Sequence, residues 1–597
     1  MKKKFLKIIN ASRGNIDLKP NKDTDFLVLK MDQMYYFQQN NIKFITLECF
    51  YDNSYQNNLE FSFIPKMKEW LIQSDKSIYD QTKTENLFSG NGFWFMHKFL
   101  DLFYAQNCIN KIKEKYSKIE IITDNYIEKM QPSKINLGAL SFNNFLGQGS
   151  DRFLILLIHL MPKIKIINIK KNFSFRNYFY YLYSKIIWFY FGVIRKINKI
   201  YQNFIKINKN KFIFYNLQDG YDLDKIKHYS SGTKFINIKN IIINEIENNY
   251  QKNKLNLSQD IIKSSKFFFR NHLPSFEGLL IKLVNEYILI SINIIKNFPE
   301  KELCYFKEKK VDGIVLPMCA QDLIDFYVVK TANKFDIPTY FFKHNGPIEI
   351  FRNKDPFVSF LEQNKVLNRT QFMHSNLEKE LMKKNKTIRI EVVRSLGMNY
   401  KENKNIQKNK AKILYATGSP SRYTLKDLQS ITFDNEKINF LKSIIDYTIE
   451  SDSKLSIKSH PRGNKEINNM LLSIRSGLKK SSKINIIYHN KIEELFDQYD
   501  LIVSDTIFSS VVSNALYTNK NILVYCPRKD CITHEYYDLL SKRVSLVHDL
   551  IETKKIINEL KTNNFKYMND PDFNKTILGT LSFEEAIEKI LITMKCK

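Results

Sequence analysis

From Ala411 onward, short apolar runs rich in β-branched and aromatic residues alternate with segments of helical period. The pattern predicts strands at Lys412–Thr417, Lys454–Ser459, Ile484–Tyr488, Leu501–Ser504 and Asn521–Tyr525. Between them it predicts helices at Lys437–Glu450, Lys465–Lys479, Lys491–Gln498 and Ser509–Tyr517. Strands that are apolar without alternation are buried on both faces, which is how a parallel sheet between two layers of helices reads. A second stretch of the same kind precedes it, with strands at Val311–Leu316, Thr339–Phe342, Gln371–Ser375 and Ile388–Val393 and a helix at Ala320–Lys334. The run Lys401–Lys410 (KENKNIQKNK) has almost no apolar content and marks an interdomain linker.

The first 300 residues carry weaker periodicity. Phe5–Ile9, Phe26–Lys30, Lys43–Leu47 and Glu120–Thr123 are expected strands, with a turn at Ser12–Asn15 and a long helix at Leu279–Asn297. Ser582–Met594 has the pattern of an amphipathic terminal helix. The resulting expectation is an α/β chain of two Rossmann-like domains. Residues 1–400 form the first, with a helical, basic-aromatic insertion at about 152–300; 401–410 link it to the second, 411–597.

Composition narrows the picture. The chain has 597 residues and is 43% hydrophobic, enough for sizeable cores, and its 17 Gly and 14 Pro are too few for a low-complexity architecture. Its seven Cys form no CxxC pair, against a zinc ribbon or a disulfide framework, and fit a reducing, cytoplasmic setting. The basic N-terminus has only a broken apolar stretch and reads as a strand, not as a signal peptide.

The net charge is +30. Lys, Asn and Ile are abundant throughout, so part of that excess is compositional background, and placement matters more than the total. From Arg152 to Gln218 there is no Asp or Glu while 13 Lys or Arg occur. On a helix, Lys185, Arg195, Lys196, Lys199 and Lys206 lie on one side of a Tyr-, Phe- and Trp-rich surface. Such a stripe suits a helix lying on an anionic membrane surface, peripheral on the inner face of the cytoplasmic membrane. An aromatic face packed on its own domain gives the same pattern. No nucleic-acid-binding motif accompanies the charge, so nucleic acid is not an expected partner.

Open parallel sheets bind ligands beyond the carboxyl ends of their strands, and four loops stand at such ends. Thr417-Gly418-Ser419-Pro420-Ser421-Arg422 has small residues that let backbone N–H groups approach a phosphate, and Arg422 adds charge. Lys458-Ser459-His460-Pro461-Arg462 sets two cations around a histidine, a group suited to a charged phosphate. Asp505-Thr506-Ile507-Phe508-Ser509-Ser510 opens the next helix, where the serines either hold an anion or simply cap it. His344-Asn345-Gly346 ends a strand of the preceding domain. Asp23-Thr24-Asp25, Asp222-Leu223-Asp224 and Asp570-Pro571-Asp572 have DxD spacing, but none follows a credible nucleotide-site strand, so no metal is expected.

A chain with KxHP at one strand end and D-x(3)-SS before a later helix resembles GT-B glycosyltransferases of bacterial surface polysaccharide synthesis. It is similar to the capsule, bacterial sialyltransferase and CDP-glycerol glycerophosphotransferase-like groups. The resemblance spans about Val311 to Pro527 and implies that His460, Ser509 and Ser510 hold the phosphates of a nucleotide-activated donor. The segment GIVLP to KFDIPTYFFKHNG resembles one that ends in Gln-His-Gly in related surface-carbohydrate proteins, with Lys343 in place of Gln and Asn345 inserted. The acidic motif that supplies the base in sialyltransferase-like members has no acid here. The expected activity is sugar transfer from a nucleotide-sugar, with no further cofactor, to a cell-surface polysaccharide or lipid-linked glycan. His344 is the first choice of general base, since imidazole titrates near neutral pH, and Asp219 the second. A polyol-phosphate transferase, a sugar-nucleotide epimerase and a non-catalytic assembly partner are the alternatives.

Overall fold

In the computed structural model the described residues are 4–11, 23–50, 53–82, 88, 92–124, 150–169, 211–214, 234–237, 259–296, 311–316, 323–342, 370–373, 375–382, 389–392, 411–420, 432–451, 453–460, 465–478, 483–488, 492–507, 509–529, 532, 534–561, 573, 577–579, 581 and 585. Within them the chain is α/β, built on parallel sheets as the strand pattern requires. There are three such sheets.

The first contains β1 (Lys4–Asn10), β2 (Thr24–Val28), β3 (Tyr116–Thr123) and β4 (Lys165–Asn168) in the order β2-β1-β3-β4, every pairing parallel. Its helices are α1 (Met31–Gln39), α2 (Asn53–Thr82), α3 (Gly92–Lys115) and α4 (Ser150–Leu160). Asn41, at φ 53°, turns the chain out of α1 in the left-handed conformation that Asn tolerates.

The second sheet contains β5 (Lys211–Phe214) and β6 (Lys234–Asn237), then α5 (Gln259–His272) and α6 (Glu277–Lys296) intervene. It continues through β7 (Val311–Leu316), α7 (Leu323–Lys334), β8 (Thr339–Phe342), β9 (Thr370–Met373), α8 (Asn376–Met382) and β10 (Arg389–Val392). The order is β10-β9-β8-β7-β5-β6. The stretch expected to be a helical insertion thus supplies β4 to one sheet and β5 and β6 to another. These strands have four residues each and begin with Lys, too short and too polar for a clear period-two signal. Helices α5 and α6 pack on α2 and α3: Trp70 stacks on Phe268 at 5.2 Å and donates to Ser265 Oγ at 3.3 Å, and Phe88 meets Tyr287 at 5.5 Å. The basic-aromatic run at 177–206 and the linker lie outside the described residues, as does most of the expected terminal helix. No helix of the described residues is long and apolar enough to cross a membrane.

The third sheet contains β11 (Lys412–Ala416), β12 (Lys454–Lys458), β13 (Ile484–Ile487), β14 (Leu501–Ser504), β15 (Asn521–Tyr525) and β16 (Ser545–Val547). Its helices are α9 (Asp434–Glu450), α10 (Lys465–Gly477), α11 (Ser510–Ala515), α12 (His534–Ser541) and α13 (Leu550–Lys561). The order β13-β12-β11-β14-β15-β16 is 3-2-1-4-5-6 when counted within this sheet, the doubly wound order in which the chain reverses direction between strands 1 and 4. β14 and β15 are buried along their whole length, which is why they read as uninterrupted apolar runs.

The first and third sheets are joined through α1, which packs on α9 and α10. One core runs without a break from Leu6 and Phe37 to Ile438, Leu441 and Met470. Across it Gln38 Nε2 donates to Asn435 Oδ1 at 2.6 Å and to Asn439 Oδ1 at 3.0 Å, and Asn469 Nδ2 donates to Asp32 Oδ2 at 3.1 Å.

Candidate functional site

The crevice of the third sheet opens where β11 and β14 diverge at their carboxyl ends. Thr417 leaves β11 with its N–H and Oγ1 both donating to Lys458 O at 3.1 Å, which ties this loop to the end of β12. Gly418 N then donates to Asp505 Oδ1 at 2.7 Å, and Tyr415 Oη donates to Asp505 Oδ2 at 3.1 Å. A Cβ at 418 would stand 2.6 Å from Asp505 Oδ1, so glycine is what lets the two loops meet. Burial pushes the Asp505 carboxyl up to about 6, against the pull of the Lys437 charge and of the Gly418 and Tyr415 hydrogen bonds. Lys437 Nζ donates to Ser419 O at 2.8 Å and pairs with Asp434 at 3.4 Å, fixing the far side of the turn.

At the end of β12 the Lys458 ammonium folds back onto Ser459 O at 2.7 Å and Tyr488 O at 3.3 Å. Ser459 Oγ donates to Asn468 Oδ1 at 2.7 Å, and half-buried His460 follows. Beyond β14, Ser509 caps α11 by accepting from Val512 N at 3.2 Å, and exposed Ser510 begins the helix. Arg543, fully buried, donates to Lys520 O at 3.0 Å, Ala515 O at 3.3 Å and Thr518 O, so it secures the other end of the same helix.

Of the residues singled out in the sequence, Gly418, Ser419, Lys458, His460, Asp505, Ser509 and Ser510 are thus at the carboxyl edge of one sheet. The Asp505 carboxyl and the Lys458 ammonium are turned onto neighbouring protein groups and build the loops themselves. Arg422, Arg462, His344 and Asp219 lie outside the described residues. Tyr415 and Lys437 carry as much of this frame as any predicted residue. They escaped notice because a strand tyrosine and a helix lysine have no motif of their own.

The carboxyl ends of the first sheet carry an ion pair of their own. Lys30, after β2, pairs with Asp124, after β3, at 3.0 Å, both nearly buried. Beside them Glu466, in the first turn of α10, accepts a long hydrogen bond from Met31 N at 3.4 Å. Glu466 retains some solvent-accessible surface as a residue, yet its carboxyl is enclosed in the contact. Burial, reinforced by the nearby Asp32 and Asp434 carboxyls, pushes it up to about 8. Glu48 is likewise pushed up to about 7, chiefly by burial of its carboxyl. On the rim, the Arg528 guanidinium forks onto Glu436, each bond 3.0 Å, and lies 3.7 Å over the Phe433 ring. Among the described residues no group of acids, His and Cys is arranged to hold a metal ion.

Fold and site together define a doubly wound α/β protein whose crevice sits at the strand reversal of its C-terminal sheet. No protein-family model matches the chain, and no curated protein matches it. Its structure is similar to that of MnaA from S. aureus with UDP (13% identity, TM-score 0.36, covering 65% of this chain and 96% of that one). Similar too are a putative UDP-N-acetylglucosamine 2-epimerase from Listeria monocytogenes (12%, TM-score 0.37, 65% and 96%) and the spinosyn rhamnosyltransferase SpnG (8%, TM-score 0.31, 65% and 96%). Likenesses of this size do not bear on activity, and the fold rests on the sheets described above.

Proposed function

We propose that the chain acts on a nucleotide-activated sugar and transfers the sugar to a cell-surface polysaccharide or lipid-linked glycan. The observation that carries this reading is the reversal point of the third sheet. A glycine-dependent turn, His460 and the Ser509–Ser510 pair each follow the carboxyl end of one of β11, β12 and β14. Backbone N–H groups, hydroxyls and an imidazole form a donor-rich set of the kind that suits phosphate oxygens. On this reading His460 and the serines hold the donor's phosphates and the reaction takes no metal. His344 accepts the proton of the acceptor hydroxyl, with Asp219 the second choice.

The test is calorimetric titration of the purified protein with CMP, CDP, UDP, GDP and their sugar conjugates. One nucleotide class is expected to bind, and His460→Ala is expected to weaken it about tenfold or more, equivalent to roughly 1.4 kcal/mol. A folded protein that binds none of them overturns the proposal. With the donor identified, label that moves into a glycan or lipid fraction supports transfer. Label that stays on the nucleotide as an altered sugar replaces transfer with epimerisation.

A further inference from the structure

The contact between the first and third sheets concentrates acid. From the first sheet's side come Asp32, at the start of α1, and Glu48, in the turn Leu47–Phe50. From the third come Asp434 and Glu436 in the first turn of α9 and Glu466 in the first turn of α10. Among the described residues, Lys30 pairs with Asp124, Lys437 with Asp434 and Arg528 with Glu436. Lys458, at the adjoining end of β12, is turned onto backbone carbonyls, and His460 follows it. Asp32 and Glu466 come from positions 434 residues apart, and each reaches across the contact: Asp32 accepts from Asn469 at 3.1 Å, and Glu466 from Met31 N at 3.4 Å. Asp32 and Asp434 are buried and Glu466 half-buried against the shared core, so like charges there are screened less than in open solvent.

We propose that this contact is a proton-dependent latch between the first and third sheets, closed while the Glu466 carboxyl keeps its proton and loosened when that proton leaves. Separation of the two faces would return the carboxyl to water and remove Asp32 from its vicinity. The closed form therefore binds the proton more tightly than the open one. Glu466 ordinarily titrates at 4.5 and here at about 8. Closure is thus favoured fully below the lower value and loses that advantage as pH rises through the upper one. Lys30 opposes the shift, as does the Met31 amide, while Asp32 and Asp434 drive it after burial. Glu48, pushed up to about 7 and near Asp434 and Glu436, acts in the same direction. α9 and α10 follow β11 and β12, the strands whose ends form the crevice, so the latch ties the first sheet to the elements directly behind that crevice.

The test needs no nucleotide, so its outcome is independent of the proposed substrate. Hydrogen exchange of the full chain, corrected for intrinsic rates, is followed in peptides covering Met31–Gln39 at about pH 6 and about pH 9.5. Protection there is expected to fall about tenfold or more at the higher pH, while peptides from β14 and β15 keep theirs. Glu466→Gln, which carries the neutral form permanently, is expected to lose most of that response, the remainder coming from Glu48. Asp32→Asn removes the facing charge and is expected to reduce the response. An unchanged wild-type protein overturns the latch, as does a Glu466→Gln or Asp32→Asn variant that responds as the wild type does. Circular dichroism establishes that each variant is folded, and the two substitutions serve as independent arms.

Discussion

A methyl group on residue 418 would press on the carboxylate that holds the turn in place, because Asp505 Oδ1 is 2.6 Å from where that Cβ would be. The carboxylate is buried and its other oxygen is held by Tyr415, so moving it away would strain that hydrogen bond. Gly418→Ala is therefore expected to lower stability by roughly 1–3 kcal/mol, the usual range for overpacking, as measured by urea unfolding. The contact of Gly418 with Asp505 was hidden, whereas a small residue at this turn, and Ser509 as either helix cap or anion holder, were legible in the sequence. The posts of Lys458 and Asp505 were not. Sequence places a cation and an acid at strand ends, but the carbonyls and amide that receive them come from other loops.

At the scale of elements, legibility follows burial. Strands β11, β14 and β15 have apolar neighbours on both faces and stand out as continuous runs. Lys43–Leu47, expected as a strand, makes only an isolated bridge between Leu27 and Ile45 before the 3-10 turn Leu47–Phe50. Lys491–Gln498, expected as a helix, contains two 3-10 turns, Ile492–Glu494 and Phe496–Gln498; so short a connection before β14 does not accommodate a sustained helix. The short helix α11 also owes its position to a distant residue. Arg543 donates to the carbonyls of Thr518 and Lys520 and adds a third donor to that of Ala515, which Thr518 already serves through its N–H and Oγ1. Arg543→Met removes those donors, and each buried carbonyl left unsatisfied costs about 1–3 kcal/mol. Thermal unfolding is expected to shift down by several degrees, with a larger loss than for exposed Lys542→Met.

For the molecule as a whole, the chain after α13 returns to the second sheet. Leu578 forms an antiparallel bridge with Ser375 while packing with Phe573 and Ile577 into the core beneath β14 and β15. Leu377, just after that bridge, packs against the same core. Leu578→Ala is expected to lower stability by roughly 2–5 kcal/mol in denaturant unfolding, the range for truncating a buried leucine. The net charge of +30 likewise says little about the interior, where the contact between the first and third sheets gathers carboxyls.

By itself the sequence determined the class of fold and the order of strands and helices along most of the C-terminal half. A strand buried on both faces must be apolar along its length, and that signature is local. It also determined that small residues, histidine and serines follow those strand ends. Tertiary structure alone decided that the strands up to Asn168 and those from Lys211 to Val392 divide between two sheets, and that α1 lies on α9 and α10. It also decided that burial pushes the Glu466 carboxyl well above the usual carboxylate range. Burial and like-charge repulsion depend on which groups are within a few ångströms, and Asp32 and Glu466 become neighbours only when the chain has folded.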